Sequence, residues 1–206
     1  MNDSRRTILD RLRARVTPDV ELPDLDALAE DAIRYDDPAT VFAELVDAVG
    51  GSCRAVGDLQ VATRVIGELP AVIEAGGLEK VTICSLVPEL GLPGVSLDQV
   101  PRAHALEHVF LAVVRGEFGV AENGAIWISD RHMRHRALLF LAQHLVVLLP
   151  AAELVHNMHE AYRRLSLGQR SFGLFLSGAS KTADIEQSLV IGAHGARSLT
   201  VLTGPV

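Results

Sequence analysis

The chain has 206 residues, 49% hydrophobic and 22% charged, which suits one domain with a full apolar core and excludes two ordinary domains or a disordered chain. Twenty-six acidic against 19 basic residues give a formal charge of −7, which argues against a nucleic-acid backbone as a general partner. The two cysteines, Cys53 and Cys84, lie outside any Cys-x-x-Cys spacing, cannot supply the four thiolates of an iron–sulfur or zinc site, and read as buried thiols of a cytoplasmic protein.

In chain order, residues 4–16 place Ile8, Leu9, Leu12 and Val16 on one helical stripe ringed by arginines. The next twenty residues are acidic and interrupted by Pro18 and Pro23, so residues 1–36 read as an arm and residues 37–206 as the domain. Asp37-Pro38 supplies an N-cap and a first helical residue, Val41, Phe42, Leu45, Val46 and Val49 an apolar face, and Gly50-Gly51 an end. Strands are expected at 53–56, 81–86, 109–114, 125–129, 172–176 and 199–202, and a helix capped by Asp58 at 59–69. Residues 88–101 read as a loop, and residues 137–149 as one helix or as a helix leading into a strand that Pro150 stops. Residues 151–165 and 182–191 read as helices. Helix and strand in alternation predict an α/β fold, a largely parallel sheet covered by helices, with ligands beyond the carboxyl ends of its strands. The loops 115–124 and 177–182 follow such strands. Residues 1–16 lack the apolar core of a secretion signal, and the longest apolar run, 137–150, is broken by Gln143 and His144 and is too short for a bilayer. A cytoplasmic protein without membrane insertion is expected.

Two segments carry candidate chemistry. An apolar strand runs into Ser177-Gly178-Ala179-Ser180-Lys181-Thr182-Ala183-Asp184, a hydroxyl-rich turn opening a helix whose first amides, with Lys181, are placed to hold a carboxylate or phosphate. His194 follows between Gly192 and Gly195, where an imidazole complements a helix end and can move a proton. Upstream, Glu122-Asn123-Gly124 sets a carboxylate and an amide in the turn between two apolar strands. The plain alternatives are a capping turn, a helix-end histidine and an Asn-Gly hairpin turn. The order Gly-x-x-x-x-Gly-Lys-Ser/Thr is absent, as is Gly-x-Gly-x-x-Gly after a strand. His104/His108, His132/His135 and His156/His159 pair at helical spacing without a converging carboxylate, so no metal is expected.

The run Phe175-Leu176-Ser177-Gly178-Ala179-Ser180-Lys181-Thr182-Ala183-Asp184-Ile185-Glu186-Gln187, followed by Gly192-Ala193-His194-Gly195-Ala196-Arg197, resembles the signature of the lactate-utilisation (LUD) family. Phe118-Gly119-Val120-Ala121-Glu122-Asn123-Gly124 resembles that family's second signature. The likeness covers residues 115–204, reaches back to about residue 38 and leaves out the arm. Ala179 and Ala196 stand where the family commonly has proline, and Asn123 where it commonly has threonine. The resemblance implies a three-layer α/β/α fold like that of sugar-phosphate isomerases and CoA-transferases, here with an N-terminal helical arm. It also implies a part in oxidising L-lactate to pyruvate with iron–sulfur partner proteins.

Oxidation of a 2-hydroxy acid needs a group for the carboxylate, a base for the hydroxyl proton and an acceptor for two electrons. On this reading Glu122, Asp184 and His194 are the candidate catalytic residues. Asn123, Gly124, Ser177, Gly178, Ser180, Lys181, Thr182 and Gly195 would hold a small anionic metabolite. The chain itself would bind no cofactor, the iron–sulfur clusters lying in its partners. Two alternatives stay open: a self-contained isomerase- or CoA-transferase-like enzyme using Glu122, and a non-catalytic assembly subunit docking through its arm.

Overall fold

The computed structural model describes residues 2–15, 32–131, 133–165, 172–182, 190–191 and 194–206. The chain divides into two compact units, residues 1–32 and 33–206. In the first, helix α1 (Asn2–Arg13) has Asp3 in its first turn and Arg11 and Arg13 in its last, the order that opposes the helix dipole. Its apolar stripe is open to solvent: Ile8 and Leu12 are 59% and 60% exposed. Val16 and residues 17–31 of the acidic stretch lie outside the described residues.

The second unit begins with α2 (Pro38–Ala48), capped as its sequence predicts. The Asp37 carboxylate accepts from the Ala39 and Thr40 amides, both at 3.1 Å, and from the Thr40 hydroxyl. These bonds, the Thr40 hydroxyl first, hold its pKa below the usual carboxylate value. At the other end Gly50 N donates to Asp47 O and Gly51 N to Val46 O, and Gly50 takes φ +79°. This 6→1 and 5→2 pairing ends the helix with a residue that tolerates the left-handed region. Asp58 caps α3 (Leu59–Gly67) through the Val61 amide, and Pro70 starts a separate short helix, α4 (Pro70–Glu74).

Five strands form the central sheet: β1 (Ser52–Ala55), β2 (Ile83–Ser85), β3 (Leu111–Arg115), β6 (His144–Pro150) and β11 (Ser198–Gly204). Their order is β1-β11-β6-β3-β2, and every pairing is parallel. Strand β6 is apolar from Leu145 onward because both its faces are covered. Leu145, Val147 and Leu149 pack with Phe42 and Val46 of α2, while Val146 and Leu148 pack with Ala62 and Ile66 of α3.

The other strands lie elsewhere, which corrects the chain-order reading. Strands β4 (Phe118–Val120), β5 (Ala125–Ser129), β7 (Leu154–Val155) and β8 (Gly173–Leu176) form a second sheet, order β7-β4-β5-β8. Its Ile126 and Ile128 join the core on the α2 side of the parallel sheet, and its opposite face buries Phe118 and Trp127 with Ala161 of α6 (Met158–Arg164). Strands 172–176 and 199–202 therefore belong to different sheets and make no strand–helix–strand unit. Residues 151–165 hold β7 before the helix begins, and residues 137–149 resolve as α5 (Leu138–Leu141) leading into β6. The two ends of the expected helix 182–191 are extended: β9 (Lys181–Thr182) pairs antiparallel with β10 (Val190–Ile191). The segment between them lies outside the described residues. Among the described residues no helix is long and apolar enough to cross a membrane.

Candidate functional site

The two sequence segments singled out for chemistry meet on the carboxyl-terminal half of α2. The Ser177 hydroxyl donates to the Asn123 carbonyl at 3.0 Å, bonding residues 54 positions apart. Asn123 folds its own turn, its side-chain oxygen accepting from the Ala125 amide at 3.0 Å. Gly124 has φ +64° and lies so close to α2 that a Cβ would stand 2.9 Å from Val46 N. Gly178, at φ +72°, presses on the Val49 carbonyl, which also accepts from Lys181 Nζ. An ammonium at this point complements the negative end of the α2 dipole.

Among the described residues, both ionic groups of the joined turns, Glu122 and Lys181, already have a protein partner. Half-buried Glu122 accepts from Met158 N at 3.2 Å through Oε2, and its own amide donates to His156 O. It thereby receives one of the free amides at the start of α6, whose N-cap is the buried Asn157. The Ser180 amide donates to Ala196 O at 2.9 Å, and Gly195 packs against the Ser180 side chain. Lys181 and Thr182 stand in an extended pair, so their own amides are not those of a helix start.

His194 is exposed and sits beside Gly195, Gln143 and Arg197 in a depression of about 430 Å³, next to the amino ends of β6 and β11. Asp184 lies outside the described residues. Gly124, Gly178 and Lys181 thus lie against α2 with Asn123 and Ser177 bonded beside them, Glu122 is turned to the start of α6, Ser180 and Gly195 lie against each other, and His194 lines a depression with a different set of neighbours.

A second place was less visible in the sequence. A cavity of about 550 Å³ opens beyond the carboxyl ends of β2, β3 and β6, where parallel sheets collect ligands. The chain leaves the central sheet there, crossing at Gly116, which packs on Ile126, Val147 and Leu149 with no room for a side chain, into β4 of the second sheet. Arg115 pairs with Glu89 at 3.3 Å, and the Ser129 hydroxyl donates to Glu117. Loop 115–124 pointed here, but its Glu122 end drew the reading. Ser129, at the end of β5 in another sheet, and Arg131, in the turn after it, carried no local signal.

Among the described residues no group of three His, Cys, Asp or Glu side chains could hold a metal ion. Cys53 and Cys84 lie on β1 and β2, the opposite edges of the central sheet, four strand spacings or about 19 Å apart. Burial pushes the Cys84 thiol up to about 11 and also raises that of Cys53, so both stay protonated near neutrality.

A family model described as LUD domain matches residues 89–203, more than half of the sequence. The chain belongs to the LUD domain family. Both joined turns and most of the carboxyl-end cavity fall within the matched LUD residues. The lactate utilization protein C of Bacillus pumilus is 35% identical over 95 residues, 43% of this chain and 40% of that protein. That of Shouchella clausii is 31% identical over 112 residues, 50% and 49% of the two chains. In the first three such relatives the chain spans 40–49% of their length. The protein of the same name from Geobacillus thermodenitrificans aligns over 205 residues at 24% identity, covering 84% of this chain and 85% of that one. The crystal structure of a DUF162 family protein from Deinococcus radiodurans has a TM-score of 0.61 at 13% identity, covering 84% of this chain and 99% of that one, and so shares its fold.

Proposed function

We propose that this LUD chain is a subunit of a cytoplasmic system that oxidises L-lactate to pyruvate, working with iron–sulfur partner proteins and binding the hydroxy or keto acid rather than carrying electrons. The observation that carries the reading is the direct hydrogen bond between the two turns resembling the family's signatures, Ser177 to Asn123. It makes one surface of two distant segments, and the similar proteins are named for lactate utilisation.

In this reading Lys181 leaves the Val49 carbonyl to meet the substrate carboxylate, with Asn123, Gly124, Ser177, Gly178, Ser180, Thr182 and Gly195 shaping the surface around it. Glu122 accepts the hydroxyl proton through Oε1, its Oε2 staying on Met158 N, and Asp184 and His194 are the further candidate bases of the reading. Lactate loses two protons and two electrons, and the electrons pass to the iron–sulfur partner. Two protonated thiols on opposite sheet edges favour an electron sink outside this chain.

The test is reconstitution. L-lactate-dependent reduction of a dye acceptor is measured with the iron–sulfur partners alone, with this chain alone, and with both. The proposal expects turnover only with both. Full turnover by the partners alone would remove the chain from the reaction, and turnover by the chain alone would make it a self-contained enzyme.

A further inference from the structure

The cavity beyond β2, β3 and β6 is far roomier than a three-carbon acid requires. At about 550 Å³ it falls within the range of pockets that enclose ligands of many heavy atoms. Its walls are apolar where Leu86, Val114, Ile128 and Met133 face it, and most of its charged groups have an ion-pair or hydrogen-bond partner within the protein. Arg115 meets Glu89, Glu153 meets Arg164 at 2.8 Å, and Glu117 accepts from Ser129. The exception is Arg131 at the rim, which makes no ion pair among the described residues. A half-open, largely apolar cleft with one guanidinium at its edge outside any ion pair matches a molecule with a carboxylate at one end and a hydrocarbon body.

We propose that this cavity binds an organic carboxylate substantially larger than lactate, a medium-chain acyl acid. Its carboxylate lies on Arg131 and its chain runs inward along Leu86, Val114 and Ile128. The site is separate from the joined turns and independent of the lactate reading. Arg131 supplies two parallel N–H donors to the acid, and the apolar wall supplies affinity that grows with chain length.

Calorimetric titration of the full chain with straight-chain carboxylates from acetate to decanoate, kept below their micellar concentrations, tests the idea, with L-lactate and octanamide as comparisons. Binding should tighten about three- to fourfold per methylene until the cavity is filled. Octanamide should bind at least about tenfold more weakly than octanoate. Arg131→Gln, at an exposed position, should erase that preference for the acid, and Leu86→Trp, which fills the cleft, should abolish octanoate binding. Circular dichroism reports folding of both variants, and Arg131→Gln carries the test if the tryptophan perturbs the domain. Affinity that does not rise with chain length, equal binding of acid and amide, or octanoate binding indifferent to Arg131→Gln overturns the proposal. Lactate turnover with the iron–sulfur partners, read in the same preparations, is scored separately, so either idea can fail alone.

Discussion

Gly178→Ala tests the packing that joins the two turns. Gly178 holds φ +72°, and a Cβ built there overlaps the Val49 carbonyl, a backbone atom at a capped helix end that cannot turn aside as a side chain would. Placing a non-glycine residue in the left-handed region costs about 1–2 kcal/mol. Forcing a methyl group into a closed contact costs about 1–3 kcal/mol more, partly relieved by movement. The expected loss is about 2–4 kcal/mol. For a chain of this length that is a fall in melting temperature of about 5–15 °C. Gly57→Ala is the internal control, since nothing lies within 4 Å of its added carbon and its φ is not positive; it should change stability by less than about 0.5 kcal/mol. Urea unfolding followed by far-ultraviolet circular dichroism reads both. Relief of the overlap moves residues 177–178 off α2 and lengthens the Ser177–Asn123 bond. Ser177→Ala should therefore cost about 0.5–1 kcal/mol in the parent chain and close to nothing in the Gly178→Ala background. Gly178→Ala as stable as Gly57→Ala, or full additivity with Ser177→Ala, would refute the reasoning.

Two further outcomes follow from titratable groups. His144, hydrogen-bonded to Ser198 at 2.8 Å and tilted at 51° against the Phe110 ring, has its pKa lowered by burial and by Arg197, against an opposing pull from Glu74. A histidine depressed in the folded state contributes stability above its unfolded value near 6.5 and loses it as pH falls through the folded value. The urea midpoint should therefore drop from pH 7 toward 5.5, and His144→Asn should flatten that drop; an unchanged slope in the variant would show that His144 does not carry it. Cys84, fully buried with its thiol at about 11, should resist a disulfide reagent at pH 8 until urea unfolds the chain, and rapid native labelling at that position would contradict the packing around β2.

What could be read from the sequence was whatever chemistry lies local to it. Asp37-Pro38 and Gly50-Gly51 bracket α2 because capping needs only neighbours three or four residues away. Residues 111–114 of β3 and 145–149 of β6 are unbroken apolar runs because both faces are covered. The second sheet escaped because its pairings are distant: Trp127 opposes Phe175, and Gly119 opposes Leu154. Strand β7 has two residues, too few for a period, and lay within what read as a helix. The same reason hid Glu122's tie to Met158, 36 residues away, and the cavity shared by Ser129 and Arg131 with β3. The contact between loops 122–124 and 177–182 was likewise beyond any local pattern. Asn123 and Ser177 meet by a direct bond, and Gly124, Gly178 and Lys181 meet through α2.

The measurement closest to the central claim is L-lactate-dependent dye reduction by the chain reconstituted with its iron–sulfur partners, comparing the parent with Lys181→Met and Glu122→Gln. Both variants keep the fold, since Lys181 is exposed and a glutamine oxygen still accepts from Met158 N. A fall of at least about tenfold in turnover in either variant, with complex formation intact, is the predicted result. Parent-level turnover in both would contradict the claim that the joined turns are where this LUD chain acts.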